Sequence, residues 1–144
     1  MSISQSLCTS FKVEILNGIH AFSSVYRTAD TFKIALYTSV ASLDETITVY
    51  AATDEVIGTG YVSGGATMTP VAPTSSGTTA FIDFTDVTWS SATLAADGAL
   101  IYNSTQGNKA VAVLSFGGTK TSTNGNFKIQ FPVADATNAV LRIA

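Results

Sequence analysis

The chain has 144 residues, enough for one domain with a hydrophobic core of its own. Only 12% of the residues are charged, against roughly 25% in an average soluble domain, and the net charge is −3. No cluster of basic residues could neutralise phosphates, and no apolar run nears the roughly 20 residues of a membrane span, so we expect neither a nucleic-acid partner nor a membrane.

The sparse charge has two explanations, and the sequence leaves both open. Charged residues keep protein surfaces apart in solution, so a surface this poor in charge suits a molecule that is largely covered in its working state. Alternatively, the surface is a neutral β-sheet face rich in threonine.

The N-terminus, MSISQSLCTSFKVEIL, lacks the basic leader of a signal peptide, and Lys12 and Glu14 interrupt its apolar positions. We therefore expect the chain to be made and kept in a cytoplasm. The single cysteine, Cys8, agrees with that compartment because it cannot form an internal disulfide.

The pattern over residues 4–17 predicts one helix at the N-terminus. Leu7, Phe11 and Ile15 recur at i, i+4 and i+8, which places them on one helix face. Gly18 stands where helices commonly end in a left-handed residue. We expect the apolar face to pack either on the rest of the domain or on a neighbouring molecule. Cys8 and Leu16 widen this face, and Ser4 or Ser6 could cap the start.

From Asp30 onward the hydrophobic pattern changes to the alternation that is typical of β-strands. In the first such stretch Phe32, Ile34 and Leu36 point to one face and the residues between them to the other. The run 110–116 is apolar on both faces, which predicts a central strand that is covered on both sides. The predicted strands are 30–37, 79–84, 98–103, 110–116, 126–133 and 138–143, with weaker signals at 46–51 and 66–72.

Turn signals separate these strands. Asp97-Gly98 predicts a tight turn in the middle of the chain, and Gly117-Gly118 with Asn124-Gly125 predicts a polar loop. That loop would join 110–116 and 126–133 as a β-hairpin.

Short strands that follow one another without intervening helices indicate antiparallel sheets. We therefore predict a mainly β fold, an antiparallel β-sandwich of jelly-roll type with one N-terminal helix. We expect it to form a single domain over residues 1–144.

The residues that could carry chemistry are few. The chain has one histidine, His20, and no G-x-S-x-G motif that would present a nucleophilic serine to it. Cys8 has no second cysteine or histidine partner for a metal and is best explained as a small core residue. We predict no enzyme activity, no catalytic residue, no metal ligand, no cofactor-binding residue and no cofactor.

The acidic residues occur in groups that also have a structural explanation. Asp44-Glu45 and Asp54-Glu55 lack the spacing of a calcium loop, so we interpret both pairs as solvated loop charge. Asp83 and Asp86 lie near Trp89, a combination that a carbohydrate site would use, although a single tryptophan on a strand is more often core or interface.

The order of these segments along the chain resembles a family of small virion structural proteins of tailed bacteriophages. The resemblance spans nearly the whole chain and rests on the order and spacing of strand motifs. The segments that carry it are QSLCTSFKVEILNGIHAF, DTFKIALYTS, GTGYVSGG, TAFIDFTDVTW, ATLAADGALIYN, KAVAVLSFGG and FKIQFPVADATNAVLRIA.

The resemblance implies a β-sandwich that binds the outside of a particle, as a capsid decoration or cement protein does. A place in the tail or its fibres, as an adaptor or as a receptor- or glycan-binding module, is the alternative. The implied partners are the major capsid protein or other virion proteins, and the implied location is the virion, assembled in the host cytoplasm. We expect a homo-oligomer, either a dimer or a trimer.

The resemblance supplies no catalytic residues, so the candidate residues are structural. We expect Trp89 to anchor packing where its strand leaves the sheet. A glycan-binding module would instead expose aromatic residues at loop tips, such as Tyr50, Tyr61 and Trp89. The structural and interface candidates are Trp89, Leu7, Phe11, Ile15 and Tyr61.

Overall fold

The computed structural model describes residues 2–144 and consists of two antiparallel sheets and one short helix. This confirms the predicted mainly β, sandwich-like fold. The larger sheet has the order β1-β7-β6-β2-β3 and the smaller one β4-β5-β8. The elements are β1 (Ser6–Leu7), α1 (Thr9–Leu16), β2 (Phe32–Tyr37), β3 (Ala66–Met68), β4 (Pro70–Ser76), β5 (Thr79–Phe84), β6 (Val87–Asn103), β7 (Lys109–Ile129) and β8 (Leu141–Ile143).

The core lies where β2, β6 and β7 run side by side. In this part of the large sheet, side chains on both faces are buried, including the runs 99–103 and 110–113. Helix α1 and the smaller sheet cover this region, and the buried residues of both sheets form one cluster. A strand that is buried on both faces has apolar residues at successive positions, without alternation. The run 110–116 has this pattern, and its residues 110–113 are buried.

β6 and β7 form one long hairpin, and this corrects the predicted turn at Asp97-Gly98. The strand continues through both residues, with only a shift of register between Ala96 and Gly98. Glycine is needed here for another reason: a Cβ on Gly98 would lie 2.5 Å from the Leu114 carbonyl oxygen and 2.8 Å from Ile3. The glycine therefore makes room for the N-terminal segment.

The predicted hairpin between 110–116 and 126–133 is wrong for a similar reason. Both segments belong largely to the single strand β7, which pairs with β6 through the turn at 104–108. Gly117 (φ +73°) and Asn124 (φ +48°) are left-handed residues within the strand. They coincide with register shifts, so these turn-forming residues mark bulges in an extended ribbon.

The N-terminal helix is shorter than predicted, because the segment before it is extended. Ser6 and Leu7 pair with Val113 and Ala112 of β7, and Ser4 bonds to the Leu43 carbonyl oxygen through its N–H (2.8 Å). The predicted caps Ser4 and Ser6 are therefore wrong. Cys8 occupies the N-cap position and forms no side-chain cap hydrogen bond, whereas Gly18 ends the helix region in a left-handed conformation (φ +72°) as predicted.

The other strand predictions vary in accuracy. The stretch 79–84 coincides with β5, and 30–37 contains β2. The stretch 46–51 forms only one isolated bridge, between Val49 and Lys109. In the described residues, no helix has the length and apolar character to cross a bilayer.

Candidate functional site

His20 lies in a buried polar network beneath helix α1. Its Nε2 is 2.9 Å from Glu14 Oε1, and its Nδ1 is 3.0 Å from Asn103 Nδ2. An amide nitrogen can only donate, so Nδ1 accepts the hydrogen bond and Nε2–H donates to Glu14. Both ring nitrogens are therefore used within the fold, and the imidazole is fully buried.

Asp30 is the centre of the same network. One carboxylate oxygen accepts from the Ala21 N–H (2.9 Å) and from the Asn103 amide (2.8 Å), and the other accepts from Arg27 and Gln106. Burial alone would raise the pKa of Asp30, but these four hydrogen bonds outweigh it and hold the pKa below its usual value. The network fastens the loop 18–31 to the end of β6.

The single thiol of the chain is not an available nucleophile. Cys8 is fully buried, and desolvation, with smaller contributions from the charges of Glu14 and Asp44, raises the pKa of its thiol to about 11. A thiol in this environment is unreactive at neutral pH. Among residues 2–144, no group of three or more potential ligand side chains is placed to hold a metal ion.

Glu55 was predicted to be solvated and is instead buried, with 7% of its surface exposed. Its carboxylate accepts hydrogen bonds from the hydroxyls of Tyr61 (2.6 Å), Tyr50 (2.7 Å) and Ser63 (2.8 Å), and from the Gly64 N–H (2.8 Å). These four hydrogen bonds offset the cost of removing the charged Glu55 carboxylate from water, so the group can be buried. The cluster locks the segment 50–65 against β2 and β6. The other three acidic residues of the two pairs, Asp44, Glu45 and Asp54, are exposed or half-buried.

The aromatic candidates are interior residues. Trp89 and Tyr61 are 7% and 9% exposed, and their ring centroids lie 5.9 Å apart. The Tyr61 hydroxyl also accepts a hydrogen bond from the Leu36 N–H (2.9 Å), and burial raises the pKa of Tyr61. These two rings are not at loop tips, as a glycan-binding module would require.

Asp83 and Asp86, the acidic neighbours of Trp89, have different surroundings. Asp86 is exposed and lies 3.4 Å from the Lys128 amine. Asp83 is buried, and its Oδ2 has no hydrogen-bond partner. Desolvation, followed by the charges of Asp86 and Asp135, raises the pKa of Asp83.

The predicted helix candidates line an apolar groove of about 460 Å³ between α1 and the smaller sheet. Phe11 is buried at its floor, while Leu7 and Ile15 are half-buried along its wall. Two further lining residues are largely exposed: Leu16 at 87% and Ile143 at 63%. The helix and the sheet thus leave a gap that none of residues 2–144 fills.

The loop that follows α1 carries further exposed apolar side chains. Val25 and Tyr26 are 74% and 98% exposed, and the adjacent Arg27 donates to the carbonyl oxygens of Gly18 and Ile19, just beyond α1. Those contacts hold the loop at the C-terminal end of the helix. We call the resulting surface the N-terminal apolar face; it consists of Val13, Leu16, Val25, Tyr26 and Ile143.

The sequence indicated part of the apolar groove but not the exposed residues beside it. The i, i+4 spacing identified Phe11 and Ile15, but it could not show that Leu16 lies on the exposed side. Val25 and Tyr26 lie in an irregular loop, where no periodicity marks them. No family model, curated protein or solved structure matches the chain.

Proposed function

We propose that this chain is a non-enzymatic structural protein of a bacteriophage virion that binds and stabilises the exterior of the capsid. The observation that carries the proposal is the N-terminal apolar face, whose five large side chains are 57–98% exposed and two of which, Leu16 and Ile143, line the open groove. Large apolar side chains exposed near such a groove mark a candidate interaction site. The resemblance of the sequence to small virion structural proteins suggests a capsid shell as the partner.

The size of the face suits repeated weak contacts. Each of its side chains contributes about 1.5–3 kcal/mol when fully buried, so covering the exposed parts of all five contributes on the order of 5–10 kcal/mol per copy. That is comparable to the roughly 4–15 kcal/mol lost when a molecule gives up its free motion. One copy would therefore bind weakly, while a dimer or trimer on a symmetric shell would bind much more tightly.

The surroundings of the titratable groups support a role without catalysis. The only histidine is buried, with both ring nitrogens bonded, and the only thiol is buried with its pKa raised to about 11. The buried Glu55 carboxylate accepts four hydrogen bonds from the chain itself. These groups hold loops in place and are not presented to a substrate.

The test is rebinding of purified protein to particles that lack it, followed by measurement of copies per particle with quantitative mass spectrometry. We expect hundreds of copies for the wild type. Leu16→Asp should reduce occupancy by about tenfold or more, because it places a charge in the apolar contact. Ile57→Asp is the matched control, since Ile57 is 98% exposed but outside the N-terminal apolar face.

Two results would contradict the proposal. Equal occupancy of the two variants would remove the N-terminal apolar face from the contact. A handful of copies per particle would instead favour the alternative role in the tail or its fibres.

A further inference from the structure

A second groove, of about 720 Å³, lies between the edges of the two sheets, and Arg142 of β8 lines both this groove and the first one. One wall is the outer edge of β7, and the other is formed by residues 138–140 and Arg142 at the end of the chain. β8 is the edge strand of the smaller sheet. We call this the inter-sheet groove.

The outer edge of β7 is open along this groove. β1 covers β7 only at Ala112 and Val113, and the Ser115 N–H donates to the Gln5 side chain (3.2 Å). From Phe116 to Ile129, β7 pairs with β6 on one side and, among residues 2–144, with no strand on the other. Unpaired backbone groups at strand spacing form a template for an added strand.

The charge of the inter-sheet groove is opposite to that of the whole protein. Lys120, Lys128 and Arg142 line it, and no aspartate or glutamate does. These are three of the seven basic residues in a chain whose net charge is −3. A neighbouring carboxylate, Asp86, lies 3.4 Å from the Lys128 amine, but the Lys128 side chain remains 51% exposed. The groove therefore favours an anionic partner.

The same groove has an apolar lining beneath its basic rim. Phe116 and Phe127 lie with ring centroids 6.2 Å apart, and both line the groove together with the buried Phe131. In many proteins, lysines on an edge strand have a purely protective role, because they prevent the edge strands of other molecules from pairing with it. Here they border a groove with phenylalanines in its wall, which gives an incoming strand apolar contacts as well as charge.

We propose that the inter-sheet groove binds an extended polypeptide segment in which acidic residues alternate with apolar ones, added as a strand along β7. Side chains of an extended segment alternate between two sides, so apolar residues on one side would pack beside Phe127 while acidic residues on the other side meet Lys128. Lys120 pairs with the buried Ala96 and lies on the same side as Phe127, where it can meet a residue at the end of the segment. The open edge from Lys120 to Ile129, which the bulge at Asn124 interrupts, is roughly 30 Å long and can accommodate a segment of about nine residues. The inference does not depend on a virion role.

The test uses fluorescence anisotropy with labelled synthetic nonapeptides. We expect TVEVEVEVT to bind at least about tenfold more tightly than TVKVKVKVT, because the three groove cations attract one and repel the other. The Lys120→Glu/Lys128→Glu double variant should weaken binding of the acidic peptide by about tenfold or more. Lys109→Glu is the control; it changes a lysine on the same strand that lies about 35 Å from Lys120 and farther from Lys128, so it should alter the affinity less than about twofold.

A second peptide separates strand addition from attraction of charge alone. TVEVEVEVT that is N-methylated at its valines keeps its charges. Its valine nitrogens, which lie along one edge of the extended peptide, can no longer donate hydrogen bonds to β7. We expect its affinity to be about tenfold or more lower. Hydrogen exchange at the amides of 120–129 should slow when the unmethylated peptide is bound.

Three results would overturn the proposal. Equal binding of the methylated and unmethylated peptides would show charge attraction without strand addition. Binding of the acidic peptide unaffected by the lysine reversals would place its site elsewhere. Binding of a heparin-derived hexasaccharide, but not of the acidic peptide, would make the groove a site for anionic sugars.

Discussion

Removing the carboxylate of Glu55 should be among the most destabilising single changes to this protein. Glu55→Ala deletes the acceptor of four hydrogen bonds that fasten the segment 50–65 to the core. The hydroxyls of Tyr50 and Ser63 are near solvent and can bond to water instead. The Tyr61 O–H and the Gly64 N–H are buried donors and would be left without an acceptor, although the Tyr61 oxygen still accepts from the Leu36 N–H.

The expected loss follows from those two buried donors. Each unpaired buried donor costs about 1–3 kcal/mol, and the lost hydrogen bonds were strengthened by the charge of the carboxylate. We therefore expect the free energy of unfolding to fall by about 3–5 kcal/mol and the melting temperature by roughly 10 °C. Glu55→Gln keeps the shape but replaces one acceptor oxygen with an amide that only donates, so about half of that loss is expected.

Equilibrium unfolding in urea measures these values. Fluorescence of Trp89, the only tryptophan, reports the loss of the core, and circular dichroism reports the loss of the sheets. Glu45→Ala, an exposed acidic residue, is the matched control and should change the free energy of unfolding by less than about 0.5 kcal/mol. A loss below about 1 kcal/mol for Glu55→Ala would refute the view that this cluster holds the segment in place.

Three further predictions concern backbone, charge and thiol. Gly65→Ala should destabilise the fold by more than about 2 kcal/mol in urea unfolding, since φ is +79° and a Cβ would lie 2.6 Å from the Ile34 carbonyl carbon. Asp30 has a lowered pKa in the folded state, so its contribution to stability is present at neutral pH and is lost as pH falls below about 4 towards the folded pKa. The stability difference between wild type and Asp30→Asn should therefore shrink in acid. The Cys8 thiol, with a pKa of about 11, should resist Ellman's reagent at pH 8 until urea unfolds the chain.

Each of these has its own control and its own contrary result. Gly77→Ala is the control for Gly65→Ala, because Gly77 also has a positive φ (+60°) but open space where the Cβ would lie. It should lower the free energy of unfolding by only about 1 kcal/mol. An equally small loss for Gly65→Ala would contradict the steric argument. A pH-independent difference for Asp30→Asn would mean that its carboxylate is not stabilised by folding. Rapid labelling of Cys8 in native protein would show that the helix region opens readily.

The local pattern of the sequence was sufficient for some strands. The alternating apolar residues located 30–37 and 79–84 as strands, and Phe32, Ile34, Leu36, Ile82 and Phe84 are buried as expected. The pattern did not show that the other face of β2 is buried too, or that Ala80 is exposed. Both strands are short, and the pattern within each does not depend on distant partners. Gly18 was equally predictable, because a glycine after an apolar helical stripe commonly ends the helix.

Where the local sequence pattern predicted the wrong secondary structure, contacts between distant parts of the chain determine the observed one. Residues 4–7 have helical spacing but become extended because they pair with β7, about a hundred residues later. Gly117-Gly118 and Asn124-Gly125 carry the residues of turns, yet β6 supplies a continuous partner and turns them into bulges. From the sequence alone Glu55 was interpreted as a solvated loop residue, because the three hydroxyls and the N–H that bind its carboxylate come together only in the folded chain.

The proposed capsid role is tested most directly by cryo-electron microscopy of the purified particle that carries this protein. We predict density that repeats over the icosahedral lattice, with the N-terminal apolar face against the shell or against a neighbouring copy. Density confined to the tail, or lattice density with Leu16 and Tyr26 still facing solvent, would contradict the account.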